Sequence, residues 1–169
     1  MDITYEAING SNRAGVNAFL EDHWGGTVMA VRGRLVDMTA LDGIAALSGG
    51  EIVGLVTYEI EGDNCELISL DSARGGMGVG SALVERAGRA AAERGCRTMS
   101  LITTNDNTPA MRFYQKRGFT MTRLFPHAVT KARAVKPSIP LRGENGIRIE
   151  HELEFVKELK QGRSAPLRG

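Results

Sequence analysis

The sequence predicts an α/β (α+β) fold, a mixed and mostly antiparallel sheet flanked by helices. Three observations carry that expectation. Up to residue 70, apolar and β-branched runs are joined by Gly-Gly and Gly-Asp-Asn turns, which link antiparallel neighbours. From residue 74 the pattern becomes glycine loop, amphipathic helix, strand, an order that imposes a parallel crossover. The 169 residues show no internal repeat and no linker, and suit a single core.

Taken in order, residues 4–8 read as an opening strand. Ser11 is placed to cap a helix that carries Val16, Phe19 and Leu20 at spacing i, i+3, i+4. A loop is expected at His23-Trp24-Gly25-Gly26. Residues 27–31 are strand-like, and 44–47 form a weaker strand before the Gly49-Gly50 turn. Residues 52–60 and 65–70 form two further strands about Gly62-Asp63-Asn64. After the glycine loop at 74–80, residues 81–94 form a helix with Leu83, Val84, Ala87 and Ala91 on one face and Gly95 as its stop. Residues 97–104 are a strand. Thr108-Pro109 reads as cap and first helical residue of a helix that runs to Arg117 and stops at Gly118. Strands at 119–124 and 147–156, a short helix at 128–136 and a Pro/Gly loop at 137–146 complete a domain expected over residues 1–160. Residues 161–169 are expected to be a flexible tail.

Composition narrows the function. Hydrophobic residues are 42% and charged residues 24%, globular rather than disordered proportions. No basic stretch followed by an apolar run opens the chain, and no apolar run approaches the ~20 residues of a bilayer span. A cytoplasmic protein without membrane contact is expected. Cys65 and Cys96 belong to no Cys/His cluster, so neither a disulfide framework nor a metal site is expected. The net charge of +1 hides an asymmetry: residues 1–111 carry −7 (8 Lys/Arg, 15 Asp/Glu) and 112–169 carry +8 (13 and 5). That basic third is either a solvated surface or a seat for an anionic ligand. Scattered cations with few aromatics between them disfavour nucleic acid.

The loop Arg74-Gly75-Gly76-Met77-Gly78-Val79-Gly80 opens a helix. Such a turn aims backbone N–H groups and the helix dipole at one point, a seat for phosphate oxygens. It lacks the Gly-Lys-Ser/Thr ending of a P-loop. It also lacks the third glycine of a dinucleotide fingerprint, since Ser81 or Leu83 stands there, and several strands precede it. A plain structural turn remains the alternative.

Two motifs in sequence give a resemblance. Residues 75–83 resemble the pyrophosphate loop Gln/Arg-x-x-Gly-x-Gly/Ala of the GNAT N-acetyltransferases. Gly75 occupies the Gln/Arg position and Arg74 falls one residue early. Asn105 to Phe119 resembles the family's Asn-x-x-Ala-x-x-x-Tyr…Gly-Phe helix. The pair spans about 45 residues in the family's order, and the elements up to residue 125 or so fit its fold. Residues 126–160 resemble a little-characterised bacterial branch.

The resemblance implies transfer of an acetyl group from acetyl-CoA, with no metal, to a primary amine. The acceptor is a small molecule or a protein N-terminus or lysine, and the protein is often a homodimer. It implies a cofactor site at Leu70, Arg74, Gly75, Gly76, Met77, Gly78, Val79, Gly80, Ser81, Asn107 and Tyr114. Leu70 backbone would polarise the thioester, Asn107 bond the pantetheine arm, and Tyr114 protonate the leaving thiolate. Tyr114 also reads as a core aromatic. The strand before the loop supplies Glu66 as base; alternation places it on one face with Ile68 and Leu70, where apolar neighbours would raise its pKa. A water relay is the alternative. Acceptor recognition is expected from the His23-Trp24 loop and from His127 to Glu152. A non-catalytic acyl-CoA-binding module on the same fold is the rival reading.

Overall fold

The computed structural model describes residues 2–73 and 75–161. Arg74 and all of the expected tail beyond Gln161 therefore lie outside the described residues. Nine strands alternate with four helices: β1 (Thr4–Ala7), α1 (Arg13–Trp24), β2 (Val28–Val31), β3 (Arg34–Asp37), β4 (Asp42–Ser48), β5 (Glu51–Glu61), β6 (Asn64–Ser72), α2 (Val79–Glu93), β7 (Thr98–Thr104), α3 (Thr108–Lys116), β8 (Thr120–Phe125), α4 (Ala128–Val135) and β9 (Glu152–Glu158). Seven strands form one sheet in the order β1-β4-β5-β6-β7-β9-β8, and β2-β3 form a separate ribbon. Among the described residues only β6 and β7 pair in parallel, as the crossover through α2 requires; the other pairings are antiparallel.

Both faces of the sheet are covered, and the strand alternation says by what. Ile44, Ala46, Val56, Tyr58 and Leu67 pack with Leu83, Val84, Ala87 and Ala91 of α2 and with Tyr114 of α3. Ala45, Leu55 and Ile68 point the other way, onto Val16, Phe19 and Leu20 of α1 and Val31 and Val36 of the ribbon. The apolar stripes expected of α1 and α2 are therefore the buried ones.

Several boundaries differ from the sequence expectation for local reasons. The α1 cap is Asn12, without a side-chain cap bond. Ser11 is instead held by Asn9, whose Oδ1 accepts from Ser11 N at 2.8 Å and Ser11 Oγ at 2.6 Å, an Asx turn ahead of the helix. His23 and Trp24 belong to the last turn of α1, closed by left-handed Gly25. The α3 cap is Asn107, whose Oδ1 accepts from Ala110 N at 3.2 Å, so Thr108 opens the helix. β3 has no counterpart in the expected elements. Its turn is Arg32-Gly33 with φ of 48° and 76°, and an arginine in a left-handed position carries no turn signal. β9 starts at Glu152, later than expected, and lies between β7 and β8.

One irregularity shapes the centre of the sheet. Leu67 faces Tyr58 while Ser69 faces Thr57, so Ile68 is an extra residue in β6. Pairing of β6 with β7 stops at Leu67–Leu101, just before it. A bulge bends its strand and raises the local twist. Past it β6 follows β5, β7 follows β9 as far as Thr104–Glu152, and a wedge opens between them.

Candidate active site

The wedge has a volume of about 220 Å³. One side is Ile68, Ser69 and Leu70 of β6, Ile102 to Thr104 of β7, and Asn107, Ala110 and Tyr114 of α3; Trp24, Met29 to Val31 and Glu152 face them. Leu70 lies beyond the last β6–β7 pair, so its β7-facing backbone is not consumed by that ladder. The structure thus brings Leu70, Asn107 and Tyr114 to one opening, next to the glycine loop that follows β6.

In that loop Gly76 has φ 81° and Gly78 φ 70°, conformations that exclude a Cβ at little cost only for glycine. Gly78 is the α2 cap and provides no side-chain cap bond, so the first N–H groups of the helix are left for a ligand. A Cβ at Gly75 would meet nothing within 4 Å. A Cβ at Gly80 would touch the Phe113 ring at 3.4 Å. Arg117, unnoticed in the sequence, supplies a cation to this end: Nε donates to Ser81 Oγ at 2.7 Å and the guanidinium lies 3.6 Å over Phe113. A groove of about 650 Å³ runs along α2 beside the end of β9 and reaches the last residue of α3, with Arg89, Lys116, Arg117, Lys157 and Lys160 against Glu85 and Glu158 on its walls. That balance suits a polyanion.

Tyr114 is 8% exposed and packs edge-on to Phe113 and Phe119 at 5.1 and 5.4 Å. It is a core aromatic and a wall of the wedge at once. Burial, and secondarily the nearby Asp71 carboxylate, hold its phenol well above the usual range, so it stays protonated. Its hydroxyl makes no hydrogen bond among the described residues, and the residue lines the wedge. Asp71 accepts from the Trp24 indole N–H, and burial raises its carboxyl despite that bond.

Glu66 lies elsewhere than expected. The bulge breaks the alternation: Glu66 pairs with Glu59 and Leu70 with Val56, which puts them on opposite faces. Nor are its neighbours apolar. Arg32 Nη2 stands 3.2 Å from Oε2 and Arg34 Nη2 3.3 Å from Oε1. The carboxylate that lines the wedge is Glu152, 3% exposed. Its Oε2 accepts from Arg32 N–H at 3.2 Å. Burial pushes its carboxyl up; Arg32 opposes and the Glu66 charge adds to the rise. Glu152 was legible only as the end of the expected acceptor region, because its partners arrive from a turn 120 residues away. His151 Nδ1 accepts from His127 N at 2.8 Å, a structural bond that fixes the start of α4.

The chain belongs to the Acetyltransferase (GNAT) family, whose pattern matches residues 17–119. It is 48% identical over 146 residues to Uncharacterized protein YxbD of Bacillus subtilis (strain 168), covering 86% of this chain and 92% of that one. The fold is shared with the ribosomal-protein-S18-alanine N-acetyltransferase of Escherichia coli, at TM-score 0.68 and 14% identity, covering 99% of this chain and 100% of that one. It is shared too with a GNAT family acetyltransferase of Elizabethkingia anophelis with acetyl-CoA bound, at TM-score 0.67 and 18% identity, covering 93% and 98%. No helix among the described residues is long and apolar enough to cross a membrane.

Proposed function

We propose that this protein transfers the acetyl group of acetyl-CoA to an amine that enters the wedge from the side of the β2–β3 ribbon. One observation carries the reading: an unpaired, protonated phenol and a buried carboxylate face one opening beside a glycine loop. Family membership and a fold neighbour that binds acetyl-CoA support it.

The pyrophosphate would sit on the N–H groups that follow Gly78, with Arg117 and the basic groove taking the rest of the nucleotide. The pantetheine arm would run past Asn107, whose Oδ1 is spent on the helix cap and whose amide N–H groups make no hydrogen bond among the described residues. The thioester carbonyl would then lie at the open edge of β6 near Leu70. The amine nitrogen attacks the carbonyl carbon, the carbon–sulfur bond breaks, and the thiolate takes the proton of Tyr114. The proton lost by nitrogen passes to Glu152, whose raised carboxyl is nearer to neutrality than a solvated one. Glu66 we assign a positioning role: it tethers Arg32, whose N–H meets Glu152.

The test is acceptor-dependent thiol release, with acetyl-CoA affinity measured by calorimetry. Tyr114→Phe keeps the ring and its packing. A thiol is a tolerable leaving group at a pKa of about 8.5, so the expected loss of turnover is at or below ~10²-fold, with affinity intact. Wild-type turnover in Tyr114→Phe removes the acid assignment. Tight acetyl-CoA binding without thiol release to any amine reduces the protein to an acyl-CoA-binding module.

A further inference from the structure

We infer that the acceptor is a small amine that also carries an anionic group, and that a cavity beside Glu152 seats this anion between Arg32 and Lys131. The inference rests on the acetyl-transfer reading and deepens it.

The cavity measures about 390 Å³ and is lined by Arg32, Gly33, Phe125, Pro126, Ala128 and Lys131. Pockets for small molecules run from about 300 to 1,000 Å³, so it has room for a compact ligand beside a wedge of about 220 Å³. It adjoins that wedge through shared parts. Arg32 follows Val31 of the wedge wall, and its backbone N–H meets Glu152. Phe125 lies directly across from Glu152 in the β8–β9 register. Glu152 lines the wedge rather than this cavity, and a ligand that spans the two would place its nitrogen there.

The lining has two cations and no acidic side chain. Lys131 is exposed, and its ammonium has no ion pair among the described residues. Arg32 spends Nη2 on Glu66, and its other guanidinium N–H groups make no hydrogen bond among the described residues, out of five donors in all. The remaining walls are apolar. A ligand that fills the cavity dries both cations, and only an anion repays that loss. An amine without one would bring its own positive charge toward Lys131, and toward Arg32, whose charge Glu66 partly offsets. The acceptor class is therefore a zwitterion, with nitrogen toward Glu152 and a carboxylate or phosphate toward Lys131.

The experiment uses matched pairs that differ in the anion: phenylalanine with phenethylamine, and O-phosphoethanolamine with ethanolamine. Thiol release gives kcat/KM for each, and calorimetry gives binding of each to the protein–CoA complex. The expected result is a preference for the anionic member of at least one pair, and the pair concerned tells carboxylate from phosphate. Lys131→Glu, a change at an exposed site, should shrink that preference by on the order of tenfold or more through KM, while Lys131→Arg should keep it. Equal or better use of the uncharged-tail amines overturns the inference, as does a preference that Lys131→Glu leaves unchanged. If thiol release fails for every amine, the acetyl-transfer reading fails with it. The binding arm still decides the cavity: equal or no binding of the anionic members to the CoA complex overturns the anion seat.

Discussion

A carboxyl raised by folding favours the folded state at low pH. That contribution is fully present below the unfolded pKa and is lost as pH rises through the folded value. Glu152 is in that position, because burial outweighs the Arg32 N–H. At neutral pH it therefore costs stability that a neutral isostere would not. Glu152→Gln keeps an oxygen to accept from Arg32, so it should melt higher than wild type at pH 7. The gain should shrink toward zero below about pH 4, near the ordinary carboxylate value. The same substitution should lower turnover by ~10²–10⁴ and remove the acidic limb of the kcat/KM profile. Calorimetry across pH and steady-state kinetics check both halves; an equal melting temperature with a normal acidic limb would return the base role to water. Tyr114 could be picked from its motif alone. Glu152 could not, since nothing within its own stretch of sequence says that a hairpin turn from residues 28–37 closes over it.

The elements proposed to hold the nucleotide depend on a close approach of helix to strand. A Cβ at Gly54 of β5 would lie 2.6 Å from Val79 Cγ1, 3.1 Å from Leu83 Cδ1 and 3.1 Å from Asp71 O. Val79 is the first residue of α2 and follows Gly78 of the glycine loop. Gly54→Val should therefore push the start of α2 off the sheet. Overpacking of this kind costs roughly 1–3 kcal/mol, and the displaced loop should weaken acetyl-CoA binding in protein that still folds. Denaturant melts and calorimetry measure the two effects. Unchanged affinity with lowered stability would show that the loop does not ride on this contact. At this scale the sequence was most readable where glycines and apolar stripes cooperate, as in β4 to α3. It was least readable at β3, whose turn uses Arg32 where Asn or Asp is the usual sign.

Across the whole molecule, the ribbon β2-β3 has no hydrogen-bonded place in the main sheet, yet it forms a wall of the wedge. Its polar ties include Arg32 to Glu66 and Glu152, Arg34 to Glu59 and Glu66, and Lys136 to the Val28 carbonyl. Glu66 touches both arginines and, like Glu152, is buried. Glu66→Gln should loosen the ribbon without removing a group from the reaction. The expected outcome is a higher acceptor KM with acetyl-CoA affinity and the acidic limb of the rate profile retained. A lost acidic limb in Glu66→Gln would make Glu66 the base after all. This long-range organisation was beyond reading from one sequence. The insertion of β9 between β7 and β8 pairs residues 98–104 with 152–158, and no local pattern encodes such a partner.

The extra residue at Ile68 has a consequence for how this site can be inherited. The opening between β6 and β7 begins where one strand is a residue longer than the neighbour it tracks. That difference is a matter of count. Any substitution at position 68 leaves the count intact, so the opening tolerates drift in the identity of its residues. Loss of a single codon there would even out the two strands, leave Ser69 and Leu70 opposite their present partners in β5, and favour continued pairing of β6 with β7. Descendants of this chain are thus free to change the lining of the wedge by substitution, but a one-residue deletion in β6 would leave a well-paired sheet and close the opening that the proposed acetyl transfer needs.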